Sequence, residues 1–219
     1  MQVELIVHCW SGPNGQYAKL LAWQIDSLLN HPPRCEVTLT IASDDEDEPV
    51  EAIFQSFWHC PRDDAHENER RDVPGPVNGD LIHISPTVTL RTESWYPLDV
   101  FQRPVIRNER ALNTKADFVW FADCDYLFGD GCLDALAQLA GRPEKLFFPR
   151  TTLITRDHAV GDRYITTKPR LRIDPDDFVP KRENRAIGGI QIVPGDVARK
   201  YGYLPNSKWQ TPAPPGTDT

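Results

Sequence analysis

Two carboxylates that follow an apolar run are the residues of this chain best suited to chemistry. Residues 118–122 are uncharged and mostly large and apolar, and Asp123 and Asp125 stand at the end of this run, one residue apart. Such a run is typical of a strand buried inside a parallel sheet, and open α/β sheets bind ligands just beyond the carboxyl ends of their strands. Two neighbouring acids repel each other unless a cation or a donor group offsets their charge. The pattern therefore predicts a divalent metal ion holding a phosphate group.

The Asp-X-Asp pattern also has plainer explanations. It occurs three times, at residues 45–47, 123–125 and 174–176. The first copy lies in an acidic run at residues 44–48, which is typical of a solvated surface, and the third contains Pro175 and resembles a turn. Only the middle copy directly follows an apolar strand. Spacing alone leaves both a metal site and a polar strand end open.

The composition limits the classes of binding partner and the cellular compartment that we expect for this protein. The 219 residues carry a net charge of −8, which argues against nucleic acid as the main partner because such partners require a basic surface. Five cysteines without a CxxC pair predict neither a zinc site nor a disulfide framework, so reduced thiols and a cytoplasmic location are expected. The chain shows no signal-peptide pattern and no apolar stretch of the ~20 residues that a transmembrane segment needs. Peripheral membrane contact stays open.

The elements that must position the two carboxylates follow an α/β pattern. A strand, a helix and a second strand are predicted at residues 3–9, 17–29 and 35–42, which implies a right-handed crossover and a parallel sheet. Further strands are predicted at residues 81–85, 146–148 and 189–193, and further helices at about 98–115, 132–140 and 196–202.

We expect a single domain over residues 1–205. Residues 206–219, which are linker-like, are predicted to be a disordered or truncated tail. Residues 155–187 are polar, basic and rich in Asp and Pro, which indicates a long functional loop or a small excursion from the sheet.

The segment from Arg107 to Asp125 resembles the central motif of family-2-like glycosyltransferases with the GT-A fold. That family places an Arg-Asn pair at the start of a helix, then a small residue, an apolar strand and an Asp-X-Asp, and the spacing here is the same. Gly188-Gly189, after a loop, also matches the order of the family's features, whereas Arg110 stands where the family commonly has Gly. The resemblance implies a Rossmann-like, mostly parallel sheet flanked by helices.

The resemblance assigns roles on the donor side. Asp125 would ligate a Mn²⁺ or Mg²⁺ ion that bridges the diphosphate of a nucleotide-sugar, and Asp123 would contact the ribose or share the metal. Asp44 or Asp45 would read the uracil edge, so a UDP-sugar is the expected donor. The remaining implied donor-side residues are Cys9 and Trp10 at the base, Arg107 and Asn108 on the nucleotide side, and Gly188 and Gly189 near the sugar.

Plainer roles remain open for several of these residues. Trp10 could be ordinary core packing, Arg107 could be a helix-surface ion pair, and the two glycines could form a simple turn.

The acceptor side departs from the family pattern. Inverting members use a carboxylate after the glycine pair as the base, and here only Asp196 and Asp218 follow, neither in a matching acid pair. The candidate catalytic residues are Asp123 and Asp125 on the donor side and Asp196 on the acceptor side, and the loop offers substitute bases at Asp174, Asp176, Asp177 and Glu183. The family's C-terminal histidine metal ligand is also missing, since the last histidine is His158.

The function predicted from these features is transfer of a sugar from a nucleotide-sugar to a hydroxyl group of a glycan, lipid or protein acceptor. Two alternatives stay open. Residues 121–127 also resemble the Asp-X-Asp strand of haloacid-dehalogenase-like phosphatases, although Tyr126-Leu127 replaces the small pair that usually follows. A non-catalytic nucleotide-sugar-binding protein would explain the missing base.

Overall fold

The fold is taken from a computed structural model of the chain, which describes residues 1–44, 46–58, 81–95, 103–166 and 173–203. Asp45, which the sequence suggested for uracil recognition, lies outside these residues, and so does the predicted tail at residues 206–219.

A six-stranded sheet forms the centre of the molecule, in the order β3-β4-β2-β1-β5-β8. The four inner strands β4, β2, β1 and β5 are parallel, whereas the edge strands β3 and β8 pair antiparallel with β4 and β5. This arrangement confirms the predicted single-domain α/β fold with a mostly parallel sheet. The strands are β1 (Gln2–His8), β2 (Glu36–Asp44), β3 (Leu81–His83), β4 (Val88–Trp95), β5 (Phe118–Asp123), β6 (Thr151–Thr155), β7 (Phe178–Arg182) and β8 (Gln191–Pro194).

The helices are α1 (Gln16–Asn30), α2 (Glu48–Trp58), α3 (Arg103–Asn113), α4 (His158–Thr166) and α5 (Gly195–Tyr201). Helix α1 buries Leu21, Ile25 and Leu28 completely, in the same apolar cluster as alternate residues of the sheet. It ends before Pro32 and Pro33, because a proline disfavours helical geometry in the residue before it.

Strand β5 shows why the apolar run before the two aspartates is continuous. Phe118 and Trp120 belong to the large core cluster that includes α1, whereas Val119 and Phe121 belong to a second cluster on the other face, with Ala111 of α3 and Ala198 of α5. Because successive side chains point to opposite faces of a sheet, a strand covered on both faces needs apolar residues at every position.

Helix α3 is attached to the sheet by a buried charge network, which accounts for Arg110 at a position where glycine was expected. Arg110 bridges Glu4 of β1 and Glu93 of β4, with N–O distances of 2.8 Å in both pairs. Glu4 is 4% exposed and also accepts hydrogen bonds from Thr40 at 2.8 Å and Thr114 at 2.5 Å. A glycine at position 110 would leave two largely buried carboxylates without their bridging cation.

Several elements differ from the predictions. Strand β4 and helix α2 were missed, although β4 alternates Val88 and Leu90 with polar residues in a recognisable strand pattern. The helix expected at residues 132–140 is a 3₁₀ segment (Asp134–Leu139), and the strand expected at 146–148 is reduced to one bridge between Phe147 and Ile192. The long segment at residues 155–187 is not simply a loop, because it contains α4 and β7, and β7 pairs with β6 in a separate two-stranded sheet.

Candidate functional site

The carboxyl ends of β1, β2 and β5 bring most of the predicted site residues to one edge of the sheet. His8 of β1 is in register with Ala42 of β2 and with Asp123 of β5. The residues that follow these three positions are therefore neighbours in space. They are Cys9 and Trp10 after β1, Asp44 at the end of β2, and Asp125 just beyond β5.

Arg107 of α3 holds the end of β5 in place. Its guanidinium donates to Asp123 Oδ1 at 2.7 Å and to the Ala122 carbonyl at 3.1 Å, and it reaches the Gly188 carbonyl at 3.2 Å. The arginine is 3% exposed, whereas the Asp123 side chain is 29% exposed. Arg107 is therefore a buried partner of Asp123 and not a surface ion pair, and its two terminal nitrogens are directed at protein atoms.

Asn108, the other half of the Arg-Asn pair, also contacts the C-terminal segment. Its Oδ1 atom accepts the Tyr203 backbone N–H at 3.0 Å, and a Cβ atom at Gly202 would lie only 2.1 Å from the same oxygen. The Arg107 guanidinium carbon lies 5.5 Å from the centre of the Tyr203 ring. The resemblance places Arg107 and Asn108 on the nucleotide side. In the structure these two residues join α3 to the C-terminal segment that begins with Gly188-Gly189.

Contacts within the protein require glycine at position 189, whereas a Cβ atom at position 188 would make only an ordinary contact. A Cβ atom at Gly189 would lie 2.4 Å from Tyr126 Cε2 and 2.9 Å from Asp123 Oδ2, and one at Gly188 would lie 3.5 Å from the same oxygen. The Gly189 carbonyl accepts the Trp120 indole N–H at 3.1 Å. Only glycine lets the backbone at position 189 approach Tyr126 and Asp123 this closely.

Two polar residues of α1, which the sequence analysis did not single out, fix the loop that follows β5. Gln24 is fully buried, and its amide donates to the carbonyls of Asp123 and Tyr126, both at 2.9 Å. The Ser27 hydroxyl accepts the Phe128 backbone N–H at 3.0 Å. A recognisable signal existed, because Gln24 lies three or four residues from Leu21 and Leu28 and therefore on the apolar face of the helix.

The aromatic residue after β1 is accessible. Trp10 is 39% exposed, and its ring centre lies 6.0 Å from that of Tyr17, with 36° between the planes. Ordinary core packing therefore does not describe Trp10. Cys9, in contrast, is 1% exposed, and a hydrogen bond with the Cys124 thiol, followed by burial, raises its pKa. Its side chain packs beneath the loop rather than facing the edge of the sheet.

Two aspartates described in the acidic run at residues 44–48 differ in role. Asp47 is buried, accepts the Ser11 backbone N–H at 2.7 Å and caps the start of α2 through the Val50 N–H at 3.3 Å. Asp44 is half-buried and accepts the Glu46 N–H at 3.0 Å. Asp47 thus joins the β2–α2 loop to the loop that carries Trp10, and Asp44 is the described candidate for contact with a base.

Asp196 is not brought to this edge. Strand β8 runs antiparallel to β5 and pairs Pro194 with Phe118, so Asp196 lies beside the amino end of β5. There it lines a cavity of about 490 Å³ together with Asp117, Arg142 and other residues. The six residues of β5 at ~3.3 Å each put about 15–20 Å between this cavity and Asp123. The structure therefore gives no support to Asp196 as the catalytic base.

Among the substitute bases in the long segment, Glu183 is the one whose charge acts on Tyr126. The pKa of Tyr126 is raised, first by burial and then by the negative charges of Asp125, Asp123 and Glu183. Glu183 is buried and accepts hydrogen bonds from Thr152 at 2.8 Å and from Lys181, 3.1 Å away, and these bonds lower its pKa.

Two of the other three substitute bases, Asp177 and Asp174, have local structural contacts. Asp177 is buried against Arg163 and the Tyr164 hydroxyl. Asp174 accepts the backbone N–H of Asp176 at 3.0 Å.

The carboxylates after β5 suit a cation that is completed by a phosphate group. Within the described part of the chain, no group of three or more His, Cys, Asp or Glu side chains is arranged to hold a metal ion. Mg²⁺ and similar ions, however, commonly bind one or two carboxylates and complete their shell with water and substrate phosphate. Exposed Asp125 fits that requirement, and Asp123 has one oxygen directed at Arg107.

Distant structural relatives of this chain are found among solved proteins. The 1–349 fragment of S. aureus TarS matches 67% of this chain at 14% identity with a TM-score of 0.43. Galactosyltransferase LgtC in complex with donor and acceptor sugar analogues matches 93% at 12% identity with a TM-score of 0.40. An active-site mutant of LgtC matches 93% at 12% identity with a TM-score of 0.38. The chain spans 34% of the TarS fragment and 61% and 60% of the two LgtC chains.

No protein-family model matches the chain, and no curated protein matches it in sequence. At such low TM-scores the structural likenesses carry no argument about individual residues or about activity. The chain's own strand order describes an α/β fold with a mostly parallel sheet, and the carboxylates stand at the carboxyl end of β5. None of the helices in the described ranges has the length and apolarity needed to cross a membrane.

Proposed function

We propose that this protein is a metal-dependent glycosyltransferase that moves a sugar from a UDP-sugar to a hydroxyl group of a glycan, lipid or protein. The observation that carries the proposal is the junction made by Arg107, which joins Asp123 at the end of β5 to the Gly188 turn. This junction brings the glycine pair beside the carboxylates, at the edge of a parallel sheet where ligands bind.

The nucleotide would lie along the ends of β1 and β2. Trp10 offers an accessible ring for stacking on the base, and such stacking contributes about 1–3 kcal/mol per base. The Asp44 carboxylate, which can only accept hydrogen bonds when ionised, would accept the imide N–H of uracil. Cytosine has no proton at that ring position, so the same carboxylate would disfavour it.

Asp125 would hold Mn²⁺ or Mg²⁺, with Asp123 either sharing the ion or contacting the ribose. The bound ion would act as a Lewis acid that offsets the charge of the departing diphosphate. Arg107 orients the Asp123 carboxylate, because its guanidinium lies 2.7 Å away and is itself buried. Gln24 fixes the backbone between the two aspartates through the carbonyls of Asp123 and Tyr126.

The acceptor would enter beside Tyr126 and the end of β7. Glu183 replaces Asp196 as our candidate base, since its charge reaches Tyr126 and a base must lie within reach of the acceptor hydroxyl. Its lowered pKa keeps it ionised at neutral pH, and the same shift makes it a weaker base than an unperturbed carboxylate.

The metal requirement is tested by calorimetry of UDP binding with Mn²⁺ and with EDTA. We expect UDP to bind when Mn²⁺ is present and not in EDTA. The substitution Asp125→Asn, which keeps the shape of the side chain but removes its charge, should abolish that binding. Asp130→Asn is the matched control, because Asp130 is also an exposed carboxylate in the loop after β5. Equal UDP affinity in EDTA would reject the metal bridge. Slow hydrolysis of UDP-sugar in Mn²⁺ would distinguish an enzyme from a protein that only binds the nucleotide.

Base selection is tested with a panel of nucleoside diphosphates in a thermal-shift assay. We expect UDP to stabilise the protein more than CDP, and Asp44→Ala to reduce that difference. Because Asp45 is adjacent in sequence, Asp45→Ala is measured in parallel to show which carboxylate carries the preference. A clear preference of the unsubstituted protein for CDP or GDP would contradict the assignment.

A further inference from the structure

The two-stranded sheet of β6 and β7 exposes apolar side chains on both of its faces. Leu153 is 63% exposed, Ile154 is 45% exposed and Val179 is 37% exposed. Leu153 and Ile154 are consecutive in β6, so they point to opposite faces. Ile154 is in register with Val179, which places these two side chains side by side. The centre of this ribbon therefore presents aliphatic surface to solvent in two directions.

The same ribbon is basic within an acidic protein. We define the basic ribbon as residues 150–156 and 178–185, which contain five basic residues and one acidic residue in a chain of net charge −8. Lys181 lies 3.1 Å from Glu183, and Arg156 lies 3.6 Å from Asp157, so part of the charge is compensated locally. All five basic side chains are exposed, and they are Arg150, Arg156, Lys181, Arg182 and Arg185.

The basic ribbon is held together internally and is attached to the rest of the protein at its Phe178 end. Within the ribbon the Glu183 N–H donates to the Arg150 carbonyl at 2.9 Å, and next to it the Arg156 N–H donates to the Asp177 carbonyl at 2.7 Å. Phe178 packs on Tyr164 with 5.6 Å between ring centres, in a cluster that includes Trp23 of α1. The exposed aliphatic residues thus lie on a supported surface.

We propose that the basic ribbon docks the protein onto a bilayer that contains anionic phospholipid. Basic residues are attracted to the negative surface potential of such a bilayer, and aliphatic side chains between them bury their surface at the headgroup level. A soluble polyanion would use the arginines and Lys181 but would make no use of Leu153, Ile154 and Val179. This combination of charge and exposed apolar area is what favours a lipid surface.

The test is co-sedimentation of the full chain with vesicles of phosphatidylcholine alone and with vesicles in which about one third of the lipid is phosphatidylglycerol. We expect binding to the anionic vesicles, weakened by added salt, and little binding to the neutral ones. No nucleotide is added, so the result is independent of the proposed transferase activity.

Matched variants separate the apolar contribution from the charge. We expect Leu153→Ser with Ile154→Ser to weaken vesicle binding by about tenfold or more. Leu81→Ser, at a leucine that is 49% exposed on the edge strand β3, should leave it unchanged. Arg182→Gln and Arg185→Gln should each weaken binding about fivefold. Their controls at exposed Arg142 and Lys145, outside the basic ribbon, should have little effect.

Several outcomes would overturn the proposal. If the protein binds neither kind of vesicle, or binds neutral and anionic vesicles equally, an anionic-lipid surface is excluded. A loss in the Leu81 control as large as that in the serine double variant would exclude the ribbon as the contact. If the double variant binds vesicles normally and heparin displaces the protein completely, the ribbon is a polyanion site instead. Thermal unfolding followed by circular dichroism verifies that each variant is folded.

Discussion

The buried contact between Arg107 and Asp123 gives the sharpest test of the candidate site. Replacing Arg107 with Gln removes the positive charge and leaves Asp123, the Ala122 carbonyl and the Gly188 carbonyl without this donor. We expect the variant to lose both stability and UDP binding, because the same side chain connects the end of β5 to the glycine turn.

The expected loss of stability lies between two limits. Removing one partner of a fully buried ion pair costs about 3–5 kcal/mol, because the remaining charge is left uncompensated. An exposed pair contributes at most about 1 kcal/mol. Arg107 is 3% exposed but Asp123 is 29% exposed, so water can partly solvate the carboxylate that remains. We therefore expect Arg107→Gln to lower the free energy of unfolding by about 3 kcal/mol.

Urea denaturation of four proteins measures the contact directly. The unsubstituted protein, Arg107→Gln, Asp123→Asn and the double variant form a cycle, and we expect a coupling energy of about 1.5–3 kcal/mol. The free energy of unfolding of Arg107→Lys should lie between those of the unsubstituted protein and Arg107→Gln, since lysine keeps the charge but cannot reproduce the forked geometry. Arg156→Gln is the control, because its pair with Asp157 is 3.6 Å apart and more than half exposed, and a loss below about 0.5 kcal/mol is expected.

A free energy of unfolding in Arg107→Gln within about 0.5 kcal/mol of the unsubstituted protein would refute the reasoning. A coupling energy near zero would do the same, since it would show that Arg107 and Asp123 do not interact in solution.

Two further predictions concern backbone space and thiol chemistry. Gly189→Ala would place a methyl group 2.4 Å from the Tyr126 ring, so we expect the free energy of unfolding to fall by about 1–3 kcal/mol and UDP binding to weaken. Gly188→Ala, whose nearest atom would be 3.5 Å away, should have a smaller effect. Equal urea midpoints for the two variants would count against the packing argument. Burial, followed by the charge of Asp134, raises the pKa of Cys35 from 9.0 to about 11, so iodoacetamide should alkylate it at pH 9 tens of times more slowly in the native protein than in urea. Because this pKa is raised by folding, the associated stability is present below pH 9 and is lost as the pH rises towards 11. Similar native and unfolded alkylation rates, measured by mass spectrometry, would contradict the shift.

Strands β1, β2 and β5 and the placement of the two aspartates could be predicted because their signals are local. A strand covered on both faces needs a continuous apolar run, and β1 and β5 show such runs. Asp123 and Asp125 come directly after the run in β5, so their position at the carboxyl edge depends only on where that strand ends. Helix α1 was predictable for a similar reason, since its apolar face repeats with the helical period.

The partners of the predicted residues depended on contacts between distant segments. Arg107 and Gly188 are 81 positions apart, and no spacing in the sequence indicates that the guanidinium reaches that carbonyl as well as Asp123. Gln24 and Tyr126 likewise meet only because α1 packs beneath the loop after β5. The clash that requires glycine at position 189 is visible only once the Tyr126 ring is in place.

The position of Asp196 was decided by strand direction. The sequence shows a short strand after the glycine pair and an acid shortly beyond it, but it does not show which way that strand runs. Because β8 pairs antiparallel with β5, its four residues carry the chain from the glycine pair at the carboxyl edge back to the amino edge. The burial and the alternation of side chains follow from the local sequence of each strand, whereas strand direction and strand order depend on the whole packed sheet. For this reason the sequence revealed Asp123 and Asp125, but only the tertiary structure could place Asp196.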